Sequence, residues 1–193
     1  MTILITAFDP FGGGAVNISQ ELLEALPEEL DGAVLHKLLL PTVFGKAAER
    51  AILEAERIRP DAIVCLGQAG GRTAITPERV GINCMDASLP DNAGQQPRDE
   101  AILPDAPAAY FATLPLRAMA EAIRAAGVPA QISNTAGTFV CNSLLYAMLH
   151  FTASAAPELP CGFLHLPCPD AAPGLSREAL LRGLIAALRV LIH

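Results

Sequence analysis

Strand-like and helix-like segments alternate along this chain from one end to the other, and that alternation restricts the fold more than any other feature. Residues 3–8 read as a buried strand, and 19–26 as a short helix with Ser19 as its N-cap. Residues 33–40 form a second strand. An amphipathic helix follows over 44–58, with Ala48, Ile52, Ala55 and Ile58 on one stripe and Glu49, Arg50, Glu54 and Arg57 facing water. Pro60 ends it, and 61–66 is a third, apolar strand. Residues 80–85 look like a fourth strand, and 116–126 like a helix stopped by Gly127 and Pro129. Residues 130–133 are strand-like, 141–151 helical and 162–166 a final buried strand, before a closing helix over 176–192 capped by Ser176. This order implies an α/β chain: an open, largely parallel or mixed sheet with helices on both faces. Ligands in such sheets bind where loops leave the carboxyl ends of the strands, here after Phe8, Leu66, Ser133 and Leu166. The segment 86–107 is too long for an ordinary loop and is expected to be a hairpin excursion or a working loop.

The 193 residues suffice for one domain with a real core, so 1–193 is read as a single unit. Thirteen basic against twenty acidic residues leave a net charge of −7, without the basic cluster that nucleic acid or anionic lipid requires. The apolar runs, such as 62–64 and 183–188, are far too short to span a bilayer. Residues 2–6 are strand-like and lack the basic flank of a signal peptide, so a cytoplasmic protein with reduced thiols is expected. The five cysteines include no C-x-x-C pair and the four histidines no H-x-x-x-H pair, so nothing points to a zinc ribbon, a thioredoxin-type motif or another metal site. Gly12-Gly13-Gly14 is not a dinucleotide fingerprint, because Asn17 stands where its last glycine or alanine belongs. No serine sits in a G-x-S-x-G elbow.

One segment carries chemistry. After residue 133 five small or polar residues make a turn, and a helix begins with Cys141 in its first turn. Free N–H groups and the positive end of the helix dipole favour a thiolate there, and the same N–H groups can hold an oxyanion. A cysteine filling a gap between helix and sheet fits the spacing equally well. His165, near the carboxyl end of the last strand, lies on the same rim and is the candidate base, against the alternative of a core histidine bonded to backbone. Glu78 and Asp9 both remain open as the carboxylate that orients the imidazole.

Four blocks resemble type I pyroglutamyl peptidase, also called pyrrolidone-carboxylate peptidase. They are Phe8-Asp9-Pro10-Phe11-Gly12-Gly13, Gly67-Gln68-Ala69-Gly70-Gly71-Arg72, Ile75-Thr76-Pro77-Glu78-Arg79-Val80 and Thr135-Ala136-Gly137-Thr138-Phe139-Val140-Cys141-Asn142. The resemblance implies a three-layer α/β/α sandwich and a cytosolic cysteine peptidase that removes an N-terminal pyroglutamyl residue from peptides through a thioester. It implies no cofactor, a homotetramer, and the roles of nucleophile for Cys141, base for His165 and orienting carboxylate for Glu78. It also implies that Phe8, Phe11, Thr42, Gln68, Phe139 and Val140 line the pyroglutamyl pocket. Two positions depart from the family pattern: Ala7 replaces a glycine, and Ser88 replaces an arginine thought to assist the active site. The alternatives are a non-catalytic pyroglutamyl-peptide-binding homologue and a nucleotide- or phosphate-binding α/β protein.

Overall fold

The computed structural model describes residues 1–169, 171–173 and 175–193. A six-stranded sheet runs in the order β2-β3-β1-β4-β8-β5. Its centre is four parallel strands: β3 (Ala33–Leu40), β1 (Thr2–Phe8), β4 (Ala62–Gln68) and β8 (Cys161–Leu166). Short β2 (Glu29–Leu30) and β5 (Thr76–Pro77) close the edges antiparallel. Central strands buried on both faces need apolar side chains at odd and even positions alike, which is why β1, β4 and β8 are mostly apolar at both, with Thr6 and His165 as buried polar exceptions.

Alternation along each strand separates two cores. Ile3, Ile5, Val64, Leu66, Leu164 and Leu166 meet α1 (Ile18–Ala25), α3 (Leu116–Ala125) and α5 (Arg177–Arg189). Leu4, Phe8, Ile63, Cys65, Cys161 and Phe163 meet α2 (Lys46–Ile58) and α4 (Val140–Ala155). His165 has the parity of Phe163 and therefore emerges on the α4 side, at the rim where α4 begins. The three-layer expectation holds.

Local departures have physical causes. Asn17, not Ser19, caps α1: its side chain accepts the Ser19 N–H at 3.0 Å, and Ser19 is already helical. Ser176 does cap α5. Glu54 is not turned to water but bonds His36 at 2.5 Å and Arg57. The strand expected over 80–85 shortens to β6 (Val80–Ile82), which pairs with β7 (Ala109–Phe111) off the main sheet. Residues 130–133 run alongside 75–78 but make only isolated bridges. Proline is the reason: the neighbouring N–H groups of Ile75 and Arg79 both donate across this seam, and Pro77 between them has no N–H to give.

The segment 86–107 is a hairpin excursion. Met85 and Glu100 exchange backbone bonds, and the Ala87 N–H reaches the Pro97 carbonyl. At its tip the Asp91 carboxylate accepts the N–H groups of Phe44, Ala93 and Gln95, while Asn92 donates to Asp9 Oδ1 and the Pro10 carbonyl. The excursion thereby braces the loops that follow β1 and β3.

Candidate active site

The site is assembled at the carboxyl ends of β1, β4 and β8 and the start of α4. Asp9 directly follows β1, and its Oδ1 accepts the Thr42 N–H at 2.7 Å and Asn92 Nδ2 at 3.1 Å. Its backbone carbonyl accepts Thr42 Oγ1 and Asn17 Nδ2. Asp9 is thus occupied in joining three loops. The carboxylate beside His165 is Glu78: imidazole Nδ1 donates to Glu78 Oε1 at 2.7 Å, with Glu78 wholly buried. The geometry resolves the two carboxylates that spacing left open. β5 supplies the register, since Thr76 pairs with His165, Pro77 with Leu164, and the Glu78 N–H donates to the Phe163 carbonyl.

Cys141 is the second residue of α4. Phe139, at the cap position, provides no side-chain cap, so the first N–H groups of the helix are left for a ligand. The sulfur fits because Gly67, opposite His165 in the β4–β8 register, has no side chain: a Cβ there would stand 2.9 Å from Cys141 Sγ. A cavity of about 110 Å³ opens above, lined by Phe8, Phe11, Asn17, Thr42, Gln68, Ala136, Phe139, Cys141 and His165. The Phe11 and Phe139 rings pack on each other with centroids 5.9 Å apart, and Phe44, which is not in the lining, meets Phe139 edge-on at 5.3 Å. Gln68 Oε1 is held by the Ile18 N–H at 3.0 Å. Among the described residues no hydrogen bond joins the sulfur to the imidazole.

Five of the six residues expected in the pocket lie in this lining. Val140 does not; it is wholly buried in the core on the α4 side of the sheet. Asn17 and Ala136 line the cavity without having been expected there, although Ala136 falls inside a recognised block. Gly67 did carry a signal, as a glycine in an apolar strand marks a close approach. Ser88 is exposed and outside the lining.

Burial works against the expected thiolate. Burial pushes the Cys141 thiol up to about 12, the Glu78 carboxylate adds to the rise, and Arg72 and the Cys141 N–H oppose it only in part. Burial also draws His165 below its ordinary 6.5 despite the Glu78 bond. A helix start is a weaker influence than removal of a small anion from water. Both directions favour a neutral thiol and a neutral imidazole, a nucleophile and a base still to exchange their proton.

A family model described as pyroglutamyl peptidase matches residues 1–193. The chain is 47% identical to the pyrrolidone-carboxylate peptidase of Levilactobacillus brevis, over 100% of this chain and 98% of that protein. It is 46% identical to that of Streptococcus pyogenes serotype M1, over 100% and 93%. Among solved structures, pyroglutamyl peptidase I from Bacillus amyloliquefaciens superposes with a TM-score of 0.93 at 41% identity, covering 100% of this chain and 95% of that one. Pyrrolidone carboxyl peptidase from Pyrococcus furiosus does so with a TM-score of 0.93 at 36% identity, covering 100% and 98%.

Proposed function

The chain belongs to the pyroglutamyl peptidase family, cysteine peptidases that remove an N-terminal pyroglutamyl residue, and on that premise we propose that Cys141, His165 and Glu78 perform the hydrolysis. One observation carries the residue assignment: a buried His165–Glu78 pair opens on the same small apolar cavity as a thiol at a helix start. The lactam ring lies against Phe8, Phe11 and Phe139, with Gln68 and Thr42 as its polar contacts. His165 takes the thiol proton as Cys141 sulfur attacks the pyroglutamyl carbonyl, and the oxyanion lies on the uncapped N–H groups of α4. Glu78 holds the imidazolium in place. The imidazolium gives its proton to the departing peptide amine, leaving a thioester. Water, deprotonated by His165, then attacks the thioester carbonyl, and sulfur recovers its proton as free pyroglutamate leaves.

The walls also explain which N-termini are refused. The lining contains no Asp or Glu. An ordinary ammonium terminus would lose its water with no anion to replace it, which costs several kcal/mol even when relaxed, whereas a neutral lactam loses little. Release of a fluorescent amine from pyroglutamyl and from glutaminyl conjugates tests this. The pyroglutamyl conjugate is expected to have kcat/KM about 100-fold higher or more, the equivalent of roughly 2.7 kcal/mol. Equal rates on the two conjugates would remove the reading.

The same proposal makes residues 1–193 one peptidase domain that works as a cytoplasmic homotetramer. The family match over the whole chain and the 52% hydrophobic content support it, and among the described residues no helix is long and apolar enough to cross a membrane. Light scattering on eluting protein is expected to read four times the chain mass, and a monomer would refute the assembly.

A further inference from the structure

Arg72, in the loop after β4, does not line the cavity, yet its guanidinium joins three pieces of the site's framework. Nη1 donates to Glu78 Oε1 at 2.5 Å and to Thr76 Oγ1, and Nη2 donates to the Thr135 carbonyl at 2.9 Å. Glu78 Oε1 thus takes His165 from one side and Arg72 from the other, while Oε2 has no partner among the described residues. Thr76 is opposite His165 in the β5–β8 pairing, and Thr135 belongs to the turn that leads into α4 and Cys141. One planar cation spans the acid, the neighbour of the imidazole strand and the turn that delivers the thiol. A fork of donors can do this; a single ammonium cannot.

We infer that Arg72 is a positioning residue with two tasks: it fixes the Glu78 carboxylate against His165, and its permanent charge offsets the pull of that carboxylate on the imidazole's proton. The inference rests on the roles proposed above for His165 and Glu78. A buried carboxylate acting alone would hold an imidazolium as its ion partner, and an imidazole that keeps its proton cannot take one from a thiol. Few groups face His165. Glu78 and Arg72 carry charge, Cys141 on α4 is the other titratable group that shares the cavity, and Asp9 is turned to Thr42 and Asn92. Of the two charges, Glu78 raises the imidazole's proton affinity and Arg72 lowers it, on top of the lowering by burial.

Two substitutions in the full-length chain separate the tasks. In Arg72→Met, kcat is expected to fall about 10–100-fold with KM changed less than about threefold, because the loosened carboxylate no longer aligns the base. The acid limb of kcat/KM moves up by about half to one pH unit, the effect of losing a nearby permanent charge. Arg72→Lys restores the limb but not kcat, since an ammonium cannot hold Glu78 and the Thr135 carbonyl together. Should the methionine variant not fold, that split in the lysine variant carries the test. A readout free of turnover is the NMR titration of the His165 ring in a Cys141→Ala background, which moves upward on adding Arg72→Met. A methionine variant with the parent's imidazole titration and pH limb, or with its loss confined to KM, overturns the inference. Full activity of His165→Asn would instead sink the catalytic reading, and the ring titration would still decide the place of Arg72.

Discussion

Replacing Cys141 with alanine is expected to lower kcat for pyroglutamyl conjugates by about 10⁴-fold or more while lactam binding persists, as in peptidases stripped of their nucleophile. The two halves of this expectation have separate causes. The walls that hold the ring, from Phe8 and Phe11 to Thr42 and Phe139, stand on β1, the braced loops and the cap of α4, and none of them rests on the sulfur. Cys65 and Cys161, on the same side of the sheet, are wholly buried and cannot take over the attack. Single-turnover kinetics and calorimetric titration with a lactam analogue check both halves. A variant that keeps more than about one hundredth of parent kcat would refute the nucleophile, since a residual oxyanion hole without a nucleophile gives far less. The wild-type pH profile follows from the same chemistry. With the thiol held near 12 and His165 below 6.5, the competent form is neutral imidazole beside neutral thiol. Activity therefore rises as pH climbs through the His165 pKa, and no basic limb follows from loss of an imidazolium. A preformed thiolate–imidazolium pair predicts that basic limb, so a steep fall on the alkaline side would favour it.

Much of this site was readable before any coordinates. Largely apolar runs announced the central parallel strands, and the small-residue turn before Cys141 announced a helix start. Its position near the carboxyl end of the last strand put His165 on the rim of Cys141, because loops and site residues gather at that end of a parallel sheet. Three features were not legible, and each depends on something other than local pattern. The broken seam between 75–78 and 130–133 comes from one missing N–H, at Pro77, in a pairing between segments far apart in sequence. Asp9 and Glu78 follow strand ends or glycine-rich loops equally well, so spacing could not choose and only the family resemblance named Glu78; the physical reason is the antiparallel turn of β5 back onto β8, which brings Glu78, and not Asp9, to the imidazole. The upward pull on the Cys141 thiol was not legible because a helix dipole can be read from position, whereas the burial that opposes it cannot.

Gly67→Ala should be the most damaging substitution of a residue that takes no part in the chemistry, with kcat reduced by about 10²–10³-fold, the loss expected when reacting groups are misplaced by about an ångström. The new methyl would stand 2.9 Å from Cys141 Sγ and 2.6 Å from Phe163 Cζ. Phe163 is wholly buried and has no free space to enter, so the strain falls on the sulfur or on the strand. Rotation of the sulfur turns it away from the cavity that it shares with the imidazole. Movement of β4 disturbs His165, its partner in register. Both escapes damage the same pair, which is why a change of one methyl group is expected to weigh so heavily on turnover. Overpacking also costs about 1–3 kcal/mol of stability, so the activity loss needs a matched control. Gly162→Ala provides it: the added Cβ meets Leu114 Cδ1 at 2.8 Å, on the opposite face of the sheet from Cys141. The two variants should melt at similarly lowered temperatures, yet only Gly67→Ala should lose kcat and alter the alkylation rate of Cys141. Equal kcat in both would mean that the empty space at residue 67 serves packing alone.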